Sequence, residues 1–464
     1  MSVRRTHVKD LLWFCTILLV TLSFPLQVYA GNPYPALLPY LLIGGILVFF
    51  PARRLATECS RQNRNIDLMV VIYVLLLLLD TLWQTVFGVI GFAEGISAIV
   101  VYLLPVGFYW YFSRVASEQE IRISVLAMVV AGLIAGLYFT YDSYLKLALG
   151  QVSDYSQAAF DYSVSRAGSA SGEINEARIA IGYRSHGLLE SHSVSAAWII
   201  IGALAALTLM PRNRRLLRLA VILLFGTMVL LGLNFTAIIA FSIIVFLLEF
   251  SGITERRRRV SSVLGNVASV ILIVGAVGWV AVSATGTDMS EVILDILSFQ
   301  TALALGTGYA DQSYAYILSQ HLSTYYDHVS DLPLSLLFGD GFSTFGITKG
   351  GDIGFVESLA AFGLPYFLLL VFCLVNLIIR ALHQVRICDV GASGGREAGL
   401  DRANALKFSA GLTLLVLITD FHYTVWPAKS VLPIFFFAIA LYGRYSSAPV
   451  IEPQQARSLL KTAN

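Results

Sequence analysis

Long apolar segments alternate with short polar connections along most of the chain. Crossing a hydrocarbon core of about 30 Å requires about 20 helical residues, and twelve segments approach or exceed that length. They lie near residues 11–30, 35–51, 66–88, 96–113, 121–141, 193–210, 216–233, 235–251, 263–285, 354–382, 405–421 and 431–446. The pattern predicts an all-α protein, a polytopic transmembrane helix bundle of about 12 spans.

The composition agrees with a membrane protein. Of the 464 residues, 57% are hydrophobic and 13% are charged, and the mean hydropathy is +0.75. These values exclude a soluble globular protein. The net charge of +2 is too small to indicate a nucleic-acid partner.

Clusters of basic residues occur in alternate connections between the apolar segments. Lys and Arg of short loops favour the cytoplasmic side of a membrane. The basic stretches are 4–5, 52–64, 212–215, 255–259 and 380–386. A topology of twelve spans with both termini in the cytoplasm places each of these five basic stretches on the cytoplasmic side. The first segment ends in Val-Tyr-Ala, a loose match to a signal cleavage site, but we expect it to be retained.

This topology divides the chain into six parts. Residues 1–141 hold five transmembrane helices, 142–192 the first large outer loop, 193–285 helices six to nine, 286–353 the second large outer loop, 354–446 the last three helices, and 447–464 a cytoplasmic tail. The four cysteines all fall in spans or cytoplasmic loops, so disulfides are not expected. Loops as long as 142–192 and 286–353 are usually functional or disordered. We therefore expect the function to lie in these two outer loops.

The second outer loop also contains apolar residues at helical spacing. Met289, Val292, Ile296 and Phe299 recur beside acidic residues, as in a helix lying on a membrane surface. A helix packed on the transmembrane bundle fits the spacing equally well.

The two outer loops differ in charge. The second carries eight carboxylates and a single base, Lys349, whereas the first carries Arg166, Arg178 and Arg184. If the outer face handles a phosphate-bearing ligand, these arginines are the main permanent cations, because a guanidinium group binds phosphate oxygens at two points. Arg184 is the leading candidate. The alternative is that it anchors the end of the sixth span or pairs with Glu190.

Three residues are candidates for a general base. His192 stands before Ser193, a predicted N-cap of the sixth span, and could instead bond to the loop backbone. Asp352 stands at the start of the tenth span, where it could also be a helix N-cap. His422 follows Asp420 at the outer end of the eleventh span.

Three stretches resemble motifs of the O-antigen polymerase and O-antigen ligase superfamily. "YRSHGLLESHSVSAAWIIIGALAALTL" is similar to its Arg-x-x-Gly segment leading into a span. "LPLSLLFGDGFSTFGITKGGDIGFVESLAAFGLPYFLLLVF" resembles its Gly-x-Gly turn followed by a polar step and a span with a central glycine. "TDFHYTVWP" resembles the polar break before the last span. The resemblance covers roughly residues 180–445, and its strength lies in the order of the motifs.

The chain departs from that pattern at two positions. Phe235 replaces the arginine of a Ser-Arg-Thr-Ala step, which leaves Arg166 or Arg178 as the substitute for a second phosphate-binding arginine. Asp352 stands where ligase-type relatives have a His-Asn pair. The second departure favours a polymerase over a ligase.

The resemblance implies a metal-independent membrane glycosyltransferase in the bacterial inner membrane, with the two large loops in the periplasm. It would polymerise undecaprenyl-diphosphate-linked repeat units into O-antigen or exopolysaccharide. Asp352, His192 or His422 would accept the proton of the attacking hydroxyl, and Arg184, Arg178 and Arg166 would bind the diphosphate. No cofactor is implied, and whether a chain-length regulator binds is left open.

Three alternatives stay open at this point. One is an O-antigen ligase that transfers lipid-linked polysaccharide to lipid A-core. Another is a transporter or flippase, although no internal repeat is visible in the sequence. A third is a sensor or assembly protein without catalytic activity. Asp327 and Asp331 are close enough in sequence to keep a metal site conceivable.

The predicted topology can be tested by cysteine labelling in a background without the four natural cysteines. Single cysteines at Ser169 and Ser330 should react with an impermeant maleimide added to intact cells, because both positions lie in outer loops. Cysteines at Ser60 and Ser393 should stay unlabelled until the cells are lysed. Labelling at Ser393 from outside would contradict the alternation of inner and outer loops.

Overall fold

The structure, a computed structural model, describes the greater part of the chain. The described residues are 2–32, 34–49, 64–88, 91–149, 151–167, 187–189, 191–211, 214–232, 234–250, 314–331, 333–339, 354–391, 401–421, 425 and 428–446. Within these ranges the ordered elements are helices and none is a strand. The all-α prediction is confirmed for this part of the chain.

Fifteen α-helices occur in the described ranges and are numbered here in chain order. They are α1 Ser2–Ala30, α2 Leu38–Phe49, α3 Arg64–Val86, α4 Phe92–Leu103, α5 Val106–Arg114, α6 Glu118–Leu149, α7 Asp154–Ala167, α8 His192–Leu209, α9 Arg215–Leu231, α10 Phe235–Phe250, α11 Tyr314–Asp331, α12 Ser335–Phe338, α13 Gly354–Gly391, α14 Arg402–Asp420 and α15 Leu432–Ser446. A short 3-10 helix, Tyr34–Leu37, precedes α2.

Within the described ranges, six helical segments are long and apolar enough to cross a membrane. They are Val8–Ala30, Asn65–Val86, Glu118–Leu145, His192–Leu209, Gly354–Val385 and Arg402–Asp420. Helices lie at eleven of the twelve predicted segments, and the remaining segment, 263–285, falls outside the described residues. The chain thus has the helices of a membrane-embedded protein, while the count of twelve crossings stays a prediction.

The fourth predicted segment, 96–113, is divided into two helices rather than one. α4 ends at Leu103 and α5 begins at Val106, with Pro105 between them as the residue preceding α5. Proline has no backbone N–H to donate, and its ring clashes with the preceding helical turn. The helix is therefore interrupted at Pro105, although the residues on both sides of it stay apolar.

α8 is the central helix of the described bundle. Every residue from Val194 to Thr208 is buried, and α6, α9, α10 and α14 all pack against it. Its crossing with α6 is made by two glycines: a Cβ atom added at Gly132 would lie only 2.5 Å from the Cα of Gly202. Small residues at such a crossing let two helix backbones approach closely.

The end of α8 on the predicted cytoplasmic side is closed by donors from other helices. The last carbonyls of a helix lack partners within it. Arg218 of α9 donates to the carbonyl oxygens of Leu207 and Met210 at 2.7 and 2.9 Å. The same guanidinium group forms a two-point ion pair with Glu249 of α10, at 2.5 and 3.0 Å. Asn404 of α14 also donates to the Met210 carbonyl, at 3.0 Å.

Both predicted outer loops contain helices. α7 lies in the first loop and packs against α1, and α11 and α12 lie in the second and pack against α13. The surface helix predicted near 288–299 lies outside the described residues. The part of the second loop that the structure describes is thus helical and rests on the bundle.

A pair of glycines joins α12 to α13 by direct backbone contact. Gly339 ends α12 and Gly363 interrupts α13, and their φ angles are +65° and +76°, which glycine adopts without strain. A Cβ atom at Gly339 would lie 2.3 Å from the Ala361 carbonyl oxygen, and one at Gly363 would lie 2.5 Å from that of Leu337. No other residue fits at either position, so the second loop is held at the α13 break.

Candidate functional site

Four of the six predicted site residues lie outside the described ranges. Asp352, His422, Arg178 and Arg184 lie outside the described residues. Arg166 lies near the end of α7, but its side chain is not among those described. Of the six predicted residues, only His192 has described surroundings, so the roles assigned to the other five stay predictions.

His192 is the first residue of α8, and the N-cap is Ser191 rather than the predicted Ser193. Ser191 has extended backbone angles, and its side-chain oxygen accepts a hydrogen bond from the Val194 N–H at 3.2 Å. The helix begins before Ser193, which leaves that residue inside the first turn. The imidazole ring of His192 packs against Phe139 of α6, with ring centroids 5.2 Å apart.

The segment immediately before α8 is fixed by three contacts. The Ser195 hydroxyl oxygen accepts from the Leu189 N–H at 3.0 Å, and the Tyr155 hydroxyl donates to the Leu188 carbonyl at 2.6 Å. Gly187 has a φ of +79°, and a Cβ atom there would lie 2.3 Å from the Ser195 oxygen. The chain therefore leaves the first loop at a defined place, only three residues after Arg184.

A polar chain links α6 to the beginning of α7 beside this segment. The Ser153 hydroxyl donates to the buried carboxylate of Asp142 at 2.8 Å and lies 2.6 Å from the Tyr138 hydroxyl. Ser153 also accepts from the Ser156 N–H at 3.2 Å, as an N-terminal cap of α7 does. The first half of the predicted loop is therefore built onto the bundle.

The ends of α13 and α14 that are predicted to face the periplasm meet. The Ser358 hydroxyl of α13 lies 3.4 Å from both carboxylate oxygens of Asp420, the last residue of α14. Phe355 and Phe421 also approach each other, with ring centroids 6.4 Å apart. The two helix ends are thus in contact through both polar and aromatic side chains.

A buried carboxyl group stands beside that contact. Glu357 is 6% exposed, and its Oε1 atom has no hydrogen-bond partner. It lies within electrostatic range of Asp420. Burying a carboxyl group without a partner is costly, so Glu357 is held in place by the packing of its helix rather than by its own interactions.

These contacts bring together the neighbourhoods of two predicted bases. Asp352 stands two residues before α13, and His422 stands two residues after α14. Because the two helix ends touch, the chain enters α13 and leaves α14 at one place on the bundle. His192 lies at the start of α8, which is a different helix end.

The sequence interpretation missed one buried carboxyl group, which lies inside a predicted span. Asp80 lies in α3 within the run "LLLLLDTLWQTV". It is 5% exposed, and its Oδ2 atom has no hydrogen-bond partner. A carboxylate inside an apolar span is expensive and often functional, and that signal was present in the sequence.

The described side chains do not form a metal centre. No three His, Cys, Asp or Glu residues within the described ranges come close enough together to hold a metal ion. Asp327 and Asp331 lie one turn apart on α11, and both are exposed.

Comparisons with known proteins give no assignment. The chain matches no protein-family model, and no curated protein is significantly similar to it. The resemblance to the O-antigen polymerase and ligase superfamily therefore stays a prediction from the sequence motifs.

The contrast between Glu249, which is half-buried and paired, and Glu357, which is buried, can be measured as protein stability. Glu249→Gln should lower the free energy of unfolding by about 3–5 kcal/mol, because it leaves the buried Arg218 without its anionic partner. Glu357→Gln should cause no such loss, because its carboxyl oxygen has no partner to lose. Thermal unfolding of the two purified variants and the wild type measures the difference. Equal losses of stability in both variants would contradict the conclusion that Glu249 is paired and Glu357 is not.

Proposed function

We propose that this chain is a membrane glycosyltransferase that polymerises undecaprenyl-diphosphate-linked oligosaccharide repeat units into O-antigen or exopolysaccharide. The reaction takes place on the outer leaflet of the bacterial inner membrane. The motif order of residues 180–445 supports the proposal, as do the six apolar helices. The proposed topology has twelve spans, cytoplasmic termini and both large loops in the periplasm.

The single observation that carries the proposal is the contact between the ends of α13 and α14. In the transfer step a sugar hydroxyl of the acceptor chain attacks the anomeric carbon of the donor and loses its proton. A group that accepts this proton must stand at the reacting centre. Glu357 and Asp420 flank the contact, and Asp352 and His422 adjoin the two helix ends.

The leaving group requires positive charge in the same region. As the bond between the anomeric carbon and the diphosphate oxygen breaks, its electron pair stays on the lipid diphosphate, which gains one negative charge. Electrostatic stabilisation of that developing charge lowers the barrier. Arg184, with Arg178 and Arg166 in the same loop, supplies guanidinium groups for this role. The fixed segment 187–189 supports the assignment, because it limits how far Arg184 can lie from the outer end of α8.

The polymerase is favoured over the ligase by Asp352, which stands where ligase-type relatives carry a His-Asn pair. A carboxylate accepts a proton without a partner histidine.

Deletion of the gene in the source cell separates polymerase from ligase. A polymerase joins units on the lipid carrier, so its loss should leave at most one repeat unit on the final acceptor. Loss of a ligase should instead leave long polymer on the carrier lipid. We expect the first pattern by gel analysis of the extracted glycans. Asp352→Asn should reproduce it, because an amide keeps the shape but cannot accept the proton, whereas Asp161→Asn on the exposed face of α7 should not.

Arg184 can be tested by conservative replacement. Arg184→Lys should remove most polymer formation at a normal protein level, because lysine cannot bind a phosphate group at two points. Arg122→Lys, on an exposed position of α6, provides the matched control and should retain wild-type polymer. Arg166→Lys and Arg178→Lys should show smaller losses. A fully active Arg184→Lys variant would reduce Arg184 to an anchor or a point charge.

A further inference from the structure

α3, α12 and α13 meet near the end of α3 that is predicted to face the periplasm. The rings of Trp83 and Phe338 pack with centroids 5.2 Å apart, which joins α3 to α12. The Gly339–Gly363 contact described above joins α12 to α13. Through α12, the predicted second outer loop thus contacts both α3 and α13.

Four buried polar groups on α3 and α12, the two helices that the Trp83–Phe338 ring contact joins, have no hydrogen-bond partner. They are Asp80 Oδ2, Trp83 Nε1, Gln84 Nε2 and Ser335 Oγ, and we name this set the polar junction. Asp80, Gln84 and Ser335 are 5%, 2% and 1% exposed. Residues 80, 83 and 84 share one face of α3, because side chains three and four positions apart are neighbours on a helix. Ser335 is likewise three positions from Phe338, which touches Trp83.

Such a concentration of unpartnered groups indicates an external partner. More than nine in ten buried polar groups in folded proteins have a hydrogen-bond partner. The amide of Gln27, also 2% exposed, follows that rule and donates to the Ser23 carbonyl at 3.2 Å. The groups of the polar junction are equally buried but stay without one.

The chemistry of the four groups defines the ligand class. The indole and amide N–H groups donate, the Asp80 oxygen accepts, and the Ser335 hydroxyl does either. A phosphate group offers only acceptors and is repelled by the carboxylate, whereas an ammonium group offers only donors. A hydroxyl group both donates and accepts. The rings of Trp83 and Phe338 add apolar surface of the kind that lines ligand sites.

We propose that the polar junction binds a hydroxyl-bearing sugar ring of the lipid-linked oligosaccharide. This inference rests on the proposed function and adds a recognition site to it. Gly363, where α12 contacts α13, follows Glu357 by six residues, which is about 9 Å along a helix. One oligosaccharide can therefore reach both the polar junction and the proposed reacting end beside Glu357 and Asp420.

A matched pair of glutamine variants tests the site in the full-length protein in lipid nanodiscs. The probe is the labelled, water-soluble oligosaccharide that mild acid releases from the lipid-linked glycans of the source cell. Gln84→Met should weaken its binding about tenfold while leaving the thermal midpoint unchanged or higher, because an unpartnered donor is removed. Gln27→Met should do the reverse, with unchanged binding and a lower midpoint. Ser335→Ala should weaken binding without loss of stability.

Several results would overturn the inference. Unchanged oligosaccharide binding in both Gln84→Met and Ser335→Ala would do so, as would a lower midpoint in Gln84→Met with unchanged binding, since water would then be the partner. Competition by inorganic diphosphate for the same site would exclude a sugar-specific pocket. The deletion phenotype reports separately on the proposed function: polymerase loss with no effect of Gln84→Met overturns only the site. Binding at the polar junction without a polymerase phenotype overturns only the proposed reaction.

Discussion

The polar ends of a completely buried helix must find partners in neighbouring elements, and the described bundle is organised around that requirement at α8. At the predicted cytoplasmic end, Arg218 donates to two α8 carbonyls while Glu249 neutralises its charge. At the other end, Ser191 caps the first turn. Arg218 of α9 and Asn404 of α14 donate to the last carbonyls of α8, Glu249 of α10 accepts from Arg218, and Ser191 accepts from the first turn. Because these partners come from several elements, satisfying the ends of one helix fixes the positions of its neighbours.

Near the predicted periplasmic side, two buried carboxyl groups lack such partners. Among the described residues, Asp80 and Glu357 are the two carboxyl groups that keep a buried oxygen without a partner, and both lie toward the outer ends of their helices. Neither stabilises the bundle as Glu249 does. Groups that cost stability are retained where they serve another purpose. In our proposal Asp80 helps to hold a sugar, and Glu357 lies beside the reacting centre.

Hydrophobic periodicity was sufficient to locate helices at eleven of twelve predicted segments. It could not show that Pro105 divides the fourth segment, because the apolar pattern continues through the proline. The cap of α8 was misplaced by two residues because Ser191 and Ser193 are both good caps, and only the backbone angles distinguish them. The meeting of Ser358 and Asp420 joins residues 62 positions apart and leaves no periodic signal. Asp80 is a single charge inside an apolar run, so the hydrophobic pattern locates its span without revealing that its side chain is buried and unpartnered.

Purified protein reconstituted in lipid nanodiscs offers the most direct test of glycosyl transfer. The lipid-linked repeat unit would be the only glycan added, without nucleotide sugar, so that any growth must come from joining units already attached to the carrier. The account predicts a ladder of longer chains attached to undecaprenyl diphosphate, together with release of one free undecaprenyl diphosphate for each unit joined. Recovery of the unchanged single unit by a correctly folded protein would contradict it.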